Sequence, residues 1–214
     1  MVIFNLSQFA GDFPVAIGSH RALCFPKVSR DGRVRIMRLT DSGKRNTFTL
    51  LPVATEIGPD GESVKAKWIL GLAAGPDRSP YYTEQRRVRR VASDGTVTAV
   101  AERIQVPGCI RPPAAVDERL GPALRDLEVQ QDGTVYGATS ADSSLLGITK
   151  DAEASIVMHG SDAWSPTGVA IFDGDILVPE HRYVETTRRE DWLSRVRKIS
   201  RHGTVTVLAT ISQR

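Results

Sequence analysis

Short runs in which β-branched or aliphatic residues alternate with polar ones cover most of this chain, and no stretch holds apolar residues at helical spacing for three turns. Glycines and prolines, 18 and 12 in number, fall between the runs. The pattern predicts an all-β protein. Four segments align on one another: CFPKVSRDGRVRIMRL from Cys24, VRRVASDGTVTAVA from Val88, LLGITKDAEASIVM from Leu145 and VRKISRHGTVTVLA from Val196. In each, an apolar strand leads through a tight turn into a second, alternating strand. Val34/Ile36, Val97/Ala99 and Val205/Val207 are expected to share one face, with Arg33/Arg35, Thr96/Thr98 and Thr204/Thr206 on the other. Asp31-Gly32 and Asp94-Gly95 are strong hairpin turns because glycine takes a positive φ without a Cβ clash; His202-Gly203 is the same turn with a weaker first residue.

A second kind of hairpin precedes three of these: ILGLAAGPDRSPYYTE, LRDLEVQQDGTVYGAT and TGVAIFDGDILVPE, with turns at Gly75-Pro76-Asp77, Asp132-Gly133 and Asp173-Gly174. An inner hairpin followed by an outer hairpin makes one unit of four antiparallel strands. Successive inner hairpins start about 55 and then about 42 residues apart, close to the roughly 40 to 50 of propeller blades. A four-stranded sheet cannot bury both faces alone, so such units stack around an axis. A β-sandwich of ordinary hairpins is the alternative, but it does not require the same two-hairpin phrase in the same order. The expected fold is therefore all-β and propeller-like, a single domain over 1–214. It has three complete four-stranded blades at about 68–102, 120–158 and 166–211, plus a partial N-terminal blade at about 13–39. Residues 40–67, with one extra strand expected around Phe48 to Val53, and the proline-interrupted 103–119 read as irregular connections.

The phrases GLAAGPDRSPYYTEQRRVRRVASDGTVTAVAE and PTGVAIFDGDILVPE...RVRKISRHGTVTVLAT resemble NHL repeats of bacterial propellers, well over about 68–211 and in part over 13–39. That resemblance implies blade architecture more than activity, because propellers of this kind serve as ligand binders, protein or RNA platforms and enzymes. It also implies a ring of about six blades. The chain then reads as part of a propeller, as a four-bladed ring, or as a subunit that completes its ring by pairing. A homodimer is the leading expectation, because exposed blade faces are apolar.

Composition adds exclusions. With 28 Lys+Arg against 25 Asp+Glu the formal charge is +3, a nearly balanced surface. The arginine-rich strand starts Arg86-Arg87-Val88-Arg89-Arg90 and Arg195-Val196-Arg197-Lys198 recur as part of the repeat and lack interleaved aromatics, so nucleic acid is not the expected partner. Two cysteines, Cys24 and Cys109, make no disulfide framework or CxxC pair. No segment has the roughly 18 consecutive apolar residues of a membrane-spanning helix. No export signal is visible at the start, and the default location is cytoplasmic.

The candidate site is positional. Aligning the blades puts Thr83-Glu84-Gln85-Arg86 over Pro179-Glu180-His181-Arg182, each directly after an inner hairpin, with Thr139-Ser140-Ala141-Asp142 breaking the pattern. Glu84, Arg86, Glu180, His181 and Arg182 are thus candidate ligand-binding residues on one channel rim. The same carboxylates can instead tie blades together through arginines. The insertion HRYVETTRREDWLS at 181–194 adds Tyr183, Arg188 and Trp192, residue types favoured at interfaces, and Trp164 is expected to plug a joint between blades. The expected function is a non-catalytic ligand- or protein-binding module. The alternative is a lactonase-like hydrolase at the axial channel. In gluconolactonase-type propellers, the resemblance places an Asp or Asn metal ligand before the glycine of an inner strand. Here the matching positions are Leu70, Arg125 and Thr167, with Asp126 displaced by one. No metal or other cofactor is implied, and calcium enters only with the hydrolase alternative. His159, Ser161 and Asp162 lie too close in sequence to act as a triad.

Overall fold

The computed structural model describes residues 15–17, 22–28, 33–51, 55–57, 63–65, 69–84, 87–102, 104, 124–139, 143–161, 164–182 and 193–211. Among these residues there is no helix. Four antiparallel meanders follow one another along the chain. The first comprises β1 (Ala16–Ile17), β2 (Leu23–Val28), β3 (Val34–Leu39) and β4 (Arg45–Leu50). A separate two-stranded hairpin, β5 (Thr55–Ile57) with β6 (Ser63–Lys65), lies between the first and second sheets in sequence. The second sheet is β7 (Ile69–Ala74), β8 (Pro80–Glu84), β9 (Arg87–Val91) and β10 (Val97–Ala101). The third is β11 (Leu124–Val129), β12 (Val135–Thr139), β13 (Ser144–Ile148) and β14 (Ala154–His159). In the fourth, β15 (Trp164–Pro166) and β16 (Ala170–Phe172) both pair with β17 (Asp175–Arg182), followed by β18 (Leu193–Ile199) and β19 (Val205–Ile211).

The fold is the propeller-like, all-β one that the repeats predict. First strands pack on first strands: β1 on β7, β7 on β11, β11 on β16. They therefore line the inside of an arc. Among the described residues no packing of that extent joins the fourth sheet to the first, so the arc is open.

The first sheet differs from the reading of its sequence in strand order. The segment from Cys24 to Leu39 is the middle pair of its sheet, with Phe25 opposite Met37 and Lys27 opposite Arg35. It is not the outer pair that it was aligned with. The outer pair is β3 with β4, and RIMRLTDSGKRNTFT is its repeat phrase. In a meander every adjacent pair is a hairpin, so the Asp-Gly punctuation at 31–32 matches an outer turn locally although it stands one strand earlier.

Apolar alternation builds the core between sheets. Cys24, Ile36 and Val34 meet Ile69, Leu72, Tyr82 and Val91 between the first and second sheets. Val88, Ala101, Leu124, Leu127, Val135 and Leu146 fill the joint between the second and third. Leu145, Met158, Ile176, Val178 and Ile199 fill that between the third and fourth. Burial of this kind stabilises by about 25 cal/mol per Å2 of apolar surface and holds each sheet against its neighbour.

Candidate functional site

The predicted rim carboxylates lie at or near the ends of second strands. Glu84 closes β8 opposite Arg87, and Glu180 stands opposite Arg195 near the end of β17. Strand alternation turns both carboxylates toward the preceding sheet, on the same face as Tyr82 and Val178. Glu180 is fully buried, and its two oxygens accept from Arg195 Nε at 2.6 Å and from Arg197 at 2.5 Å. Arg197 also donates to the His159 carbonyl, while Arg195 lies 4.2 Å from the Trp164 ring centroid and donates to Ser161 Oγ. Trp164 thus sits at the joint between the third and fourth sheets, beside β12 and β13. Glu84 accepts from Arg89 Nε at 3.0 Å, and burial pushes its carboxyl above the usual range, against the pull of Arg89. In the third sheet Thr139 takes this place. Its hydroxyl donates to the Ser144 carbonyl and accepts from the Ser144 N–H, a neutral version of the same tie.

His181 and Arg182 are exposed, and His181 Nδ1 lies 2.9 Å from Ser194 Oγ. Arg86, Tyr183, Arg188 and Trp192, with Cys109, fall outside the described residues. His159 faces Ser144 rather than Ser161.

A different pair of acids occupies the inside of the arc. Asp126 and Glu128 stand two apart on β11, on the face opposite Leu127 and Val129, and so turn toward the fourth sheet. A bulge between Leu124 and Asp126 sets this orientation. Asp126 Oδ2 accepts from the Val169 N–H at 3.1 Å, where the first strand of the fourth sheet is interrupted between β15 and β16. Gly168 permits the approach: a Cβ there would lie 3.0 Å from Asp126 Oδ2. Burial raises both carboxyls above their usual range, against amide hydrogen bonds that lower them, and the charge of Asp126 raises Glu128 further. Neither forms an ion pair among the described residues. Sequence alone sets Asp126 aside because it stands in the place of the glycine, one residue past the expected ligand position, and the register keeps it there; Glu128 it does not single out. The alternation in LRDLEV, with two acids on one face of a first strand, was the available signal.

No described group of three or more His, Cys, Asp or Glu side chains is placed to hold a metal. Asp126 Oδ2 and Glu128 Oε1 each already accept a backbone amide.

No family model matches this chain, and no curated protein matches it. Solved structures do. A protein of unknown function from Bacteroides caccae matches with TM-score 0.54 at 12% identity, over 93% of this chain and 60% of its own. Virginiamycin B lyase from Staphylococcus aureus, in a catalytically inactive form with quinupristin, matches with TM-score 0.51 at 14% identity, over 92% and 70%. A gluconolactonase from Xanthomonas campestris matches with TM-score 0.50 at 14% identity, over 91% and 74%. The chain thus spans 60% of the length of the Bacteroides caccae protein. At these identities the likeness establishes the fold: this is a propeller-type chain of four sheets in an open arc.

Proposed function

We propose that the chain acts on a small organic substrate at the inner strands, as a hydrolase of lactones or esters in which Asp126 is the general base. The observation that carries this reading is the Asp126–Glu128 pair, two half-buried carboxylates with no arginine or lysine partner among the described residues. Raised carboxyl pKa values bring an acid closer to the poise that proton abstraction from water needs. The Val169 amide fixes one oxygen of Asp126 and so orients the group. The similarity to a gluconolactonase supports the reading through fold alone. Hydrolysis of aliphatic lactones and aryl esters by the wild type and by Asp126→Asn tests it. A general base contributes about 10²–10⁴ in rate, so the variant should lose at least about a hundredfold while remaining folded. Equal rates would refute the role of Asp126.

The second reading is a non-catalytic binding module on the rim of Glu84, Arg86, Glu180, His181 and Arg182, with Tyr183, Arg188 and Trp192 alongside. Exposure of His181 and Arg182 beside that segment favours it. Alanine at these two positions should then abolish ligand capture without changing turnover.

A further inference from the structure

Where the ends of the first and second sheets meet, away from the Glu84 and Glu180 rim, a cleft of about 70 Å3 is lined by Arg38 and Phe48 of the first sheet and by Asp77, Arg78, Ser79 and Ser93 of the second. Asp77 is the one carboxylate among these lining residues, and it is engaged: Arg90 pairs with it, and the Ser79 N–H and hydroxyl donate to it. Arg38 and Arg78 have no carboxylate partner among the described residues. Arg38 Nε is buried without a hydrogen-bond partner, and its guanidinium is held in place over the Phe48 ring, 5.2 Å from the centroid. Two arginines and one aspartate line the cleft, and because Arg90 from outside the lining pairs with that aspartate, the charges of Arg38 and Arg78 are left facing a space that admits a single small oxyanion.

The backbone supplies a second, independent observation. Arg78 has φ 61°, in a turn where its N–H donates to the Gly75 carbonyl and the Gly75 N–H donates to Ser79. The same hydrogen-bond pattern closes the turns at Gly43, Gly95, Gly133 and Gly203, where the residue with positive φ is glycine. Ala152 is the other exception, and it carries no charge. A side chain here is strained relative to glycine, so the repeat accepts a backbone cost at the one turn whose side chain lines a cationic cleft.

We propose that this cleft binds a phosphate group, as inorganic phosphate or as a small phosphate monoester, between the guanidinium groups of Arg38 and Arg78 with the Ser93 hydroxyl as a further donor. Planar guanidinium groups suit a phosphate through paired N–H donors. Calorimetry and thermal melting with inorganic phosphate and with phenyl phosphate, against sodium chloride at equal ionic strength, test the proposal. A saturable rise in melting temperature with either phosphate compound and none with chloride is expected. Arg38→Gln should weaken binding by at least about tenfold. Arg78→Gly is the sharper variant: without phosphate it should melt at the same or a higher temperature, because the strain is gone, yet bind at least about tenfold more weakly. Binding of phenyl phosphate alone would identify a monoester as the ligand. No saturable effect of either compound, or unchanged binding in Arg78→Gly, would overturn the proposal. Asp126→Asn should leave this binding intact, so the cleft and the hydrolase reading fail separately.

Discussion

Replacing Glu180 with glutamine keeps the shape of the side chain and removes its charge. The wild-type carboxylate is wholly inaccessible and answers two guanidinium groups at 2.6 and 2.5 Å, and Arg197 is itself only 8% exposed. Removing one partner of a buried ion pair costs about 3–5 kcal/mol, because the remaining charge stays desolvated without its counter-ion. Glutamine still offers one acceptor, and Arg197 and Arg195 keep their bonds to the His159 carbonyl and Ser161 Oγ, which places Glu180→Gln near the lower end, at about 3 kcal/mol. For a chain of this length that is a fall of about 6–12 °C in melting temperature. Glu84→Gln gives up one arginine bond and should cost less, about 1–2 kcal/mol. Urea denaturation of both variants, with the slope checked against the wild type, reads the difference. A Glu180→Gln cost below about 1 kcal/mol, or a larger loss in Glu84→Gln, would refute the reasoning. The expected result assigns the carboxylate of Glu180 to the scaffold and leaves the rim reading to His181 and Arg182.

Three further outcomes are expected. Asp126 has a raised pKa in the folded state, so its protonated form favours folding and that contribution is lost as pH rises through the folded value. Asp126→Asn should therefore match the wild type in acid and become relatively more stable toward neutral pH in urea midpoints taken across the range; a constant offset would contradict the shift. Gly71→Ala would place a Cβ 2.8 Å from the Asp126 Cα and the Leu127 nitrogen, so it should lower stability by about 1–3 kcal/mol or more, and a neutral variant would mean that the inner strands separate easily. We also propose that two copies associate through the last sheet, where Val207, Leu208 and Ile211 of β19 are 54–57% exposed and Phe172 is 73% exposed. Light scattering should report a dimer, Leu208→Asp with Ile211→Asp should dissociate it, and a wild-type monomer at micromolar concentration would exclude it.

Much of the fold is written in local sequence because its unit is local. Each blade is a meander, and every turn carries its own chemistry, as at Asp94-Gly95 and Asp132-Gly133, where the aspartate side chains accept from Thr96 and Thr134 N–H groups. What the turns do not encode is which hairpin of a sheet they belong to, and so sequence alone places the first sheet one strand out of phase. The candidate rim was legible as a position but not as a chemical state. Glu84 and Glu180 followed by R-V-R announces either a ligand site or a tie across β8–β9 and β17–β18, and only the distances to Arg89, Arg195 and Arg197 separate the two. The Asp126 pair was visible as alternation in LRDLEV, but the burial of Asp126 and its Val169 amide partner come from the neighbouring fourth sheet, which local sequence does not record.

The registers show how a repeated scaffold acquires an asymmetric interior. Ile69 lies opposite Glu84 and Leu124 opposite Thr139, while Leu72 and Leu127 lie opposite Tyr82 and Gly137. Gly71 and Asp126 therefore hold the same place in their sheets, and Gly168, two residues after Pro166 opposite Glu180, holds it in the fourth. In the second and fourth sheets the place is glycine, and the acid stands at the end of the second strand, where arginines of the third strand neutralise it. In the third sheet the order is reversed: Thr139 makes the neutral tie, and the acid stands on the innermost strand with only amides to meet it. The flanking glycines make this arrangement sterically feasible, since a Cβ at either would crowd Asp126. A scaffold requirement alone would be met by glycine at the third position as well. The uncompensated charge there works against stability, which places Asp126 among the residues to be explained by chemistry rather than by folding.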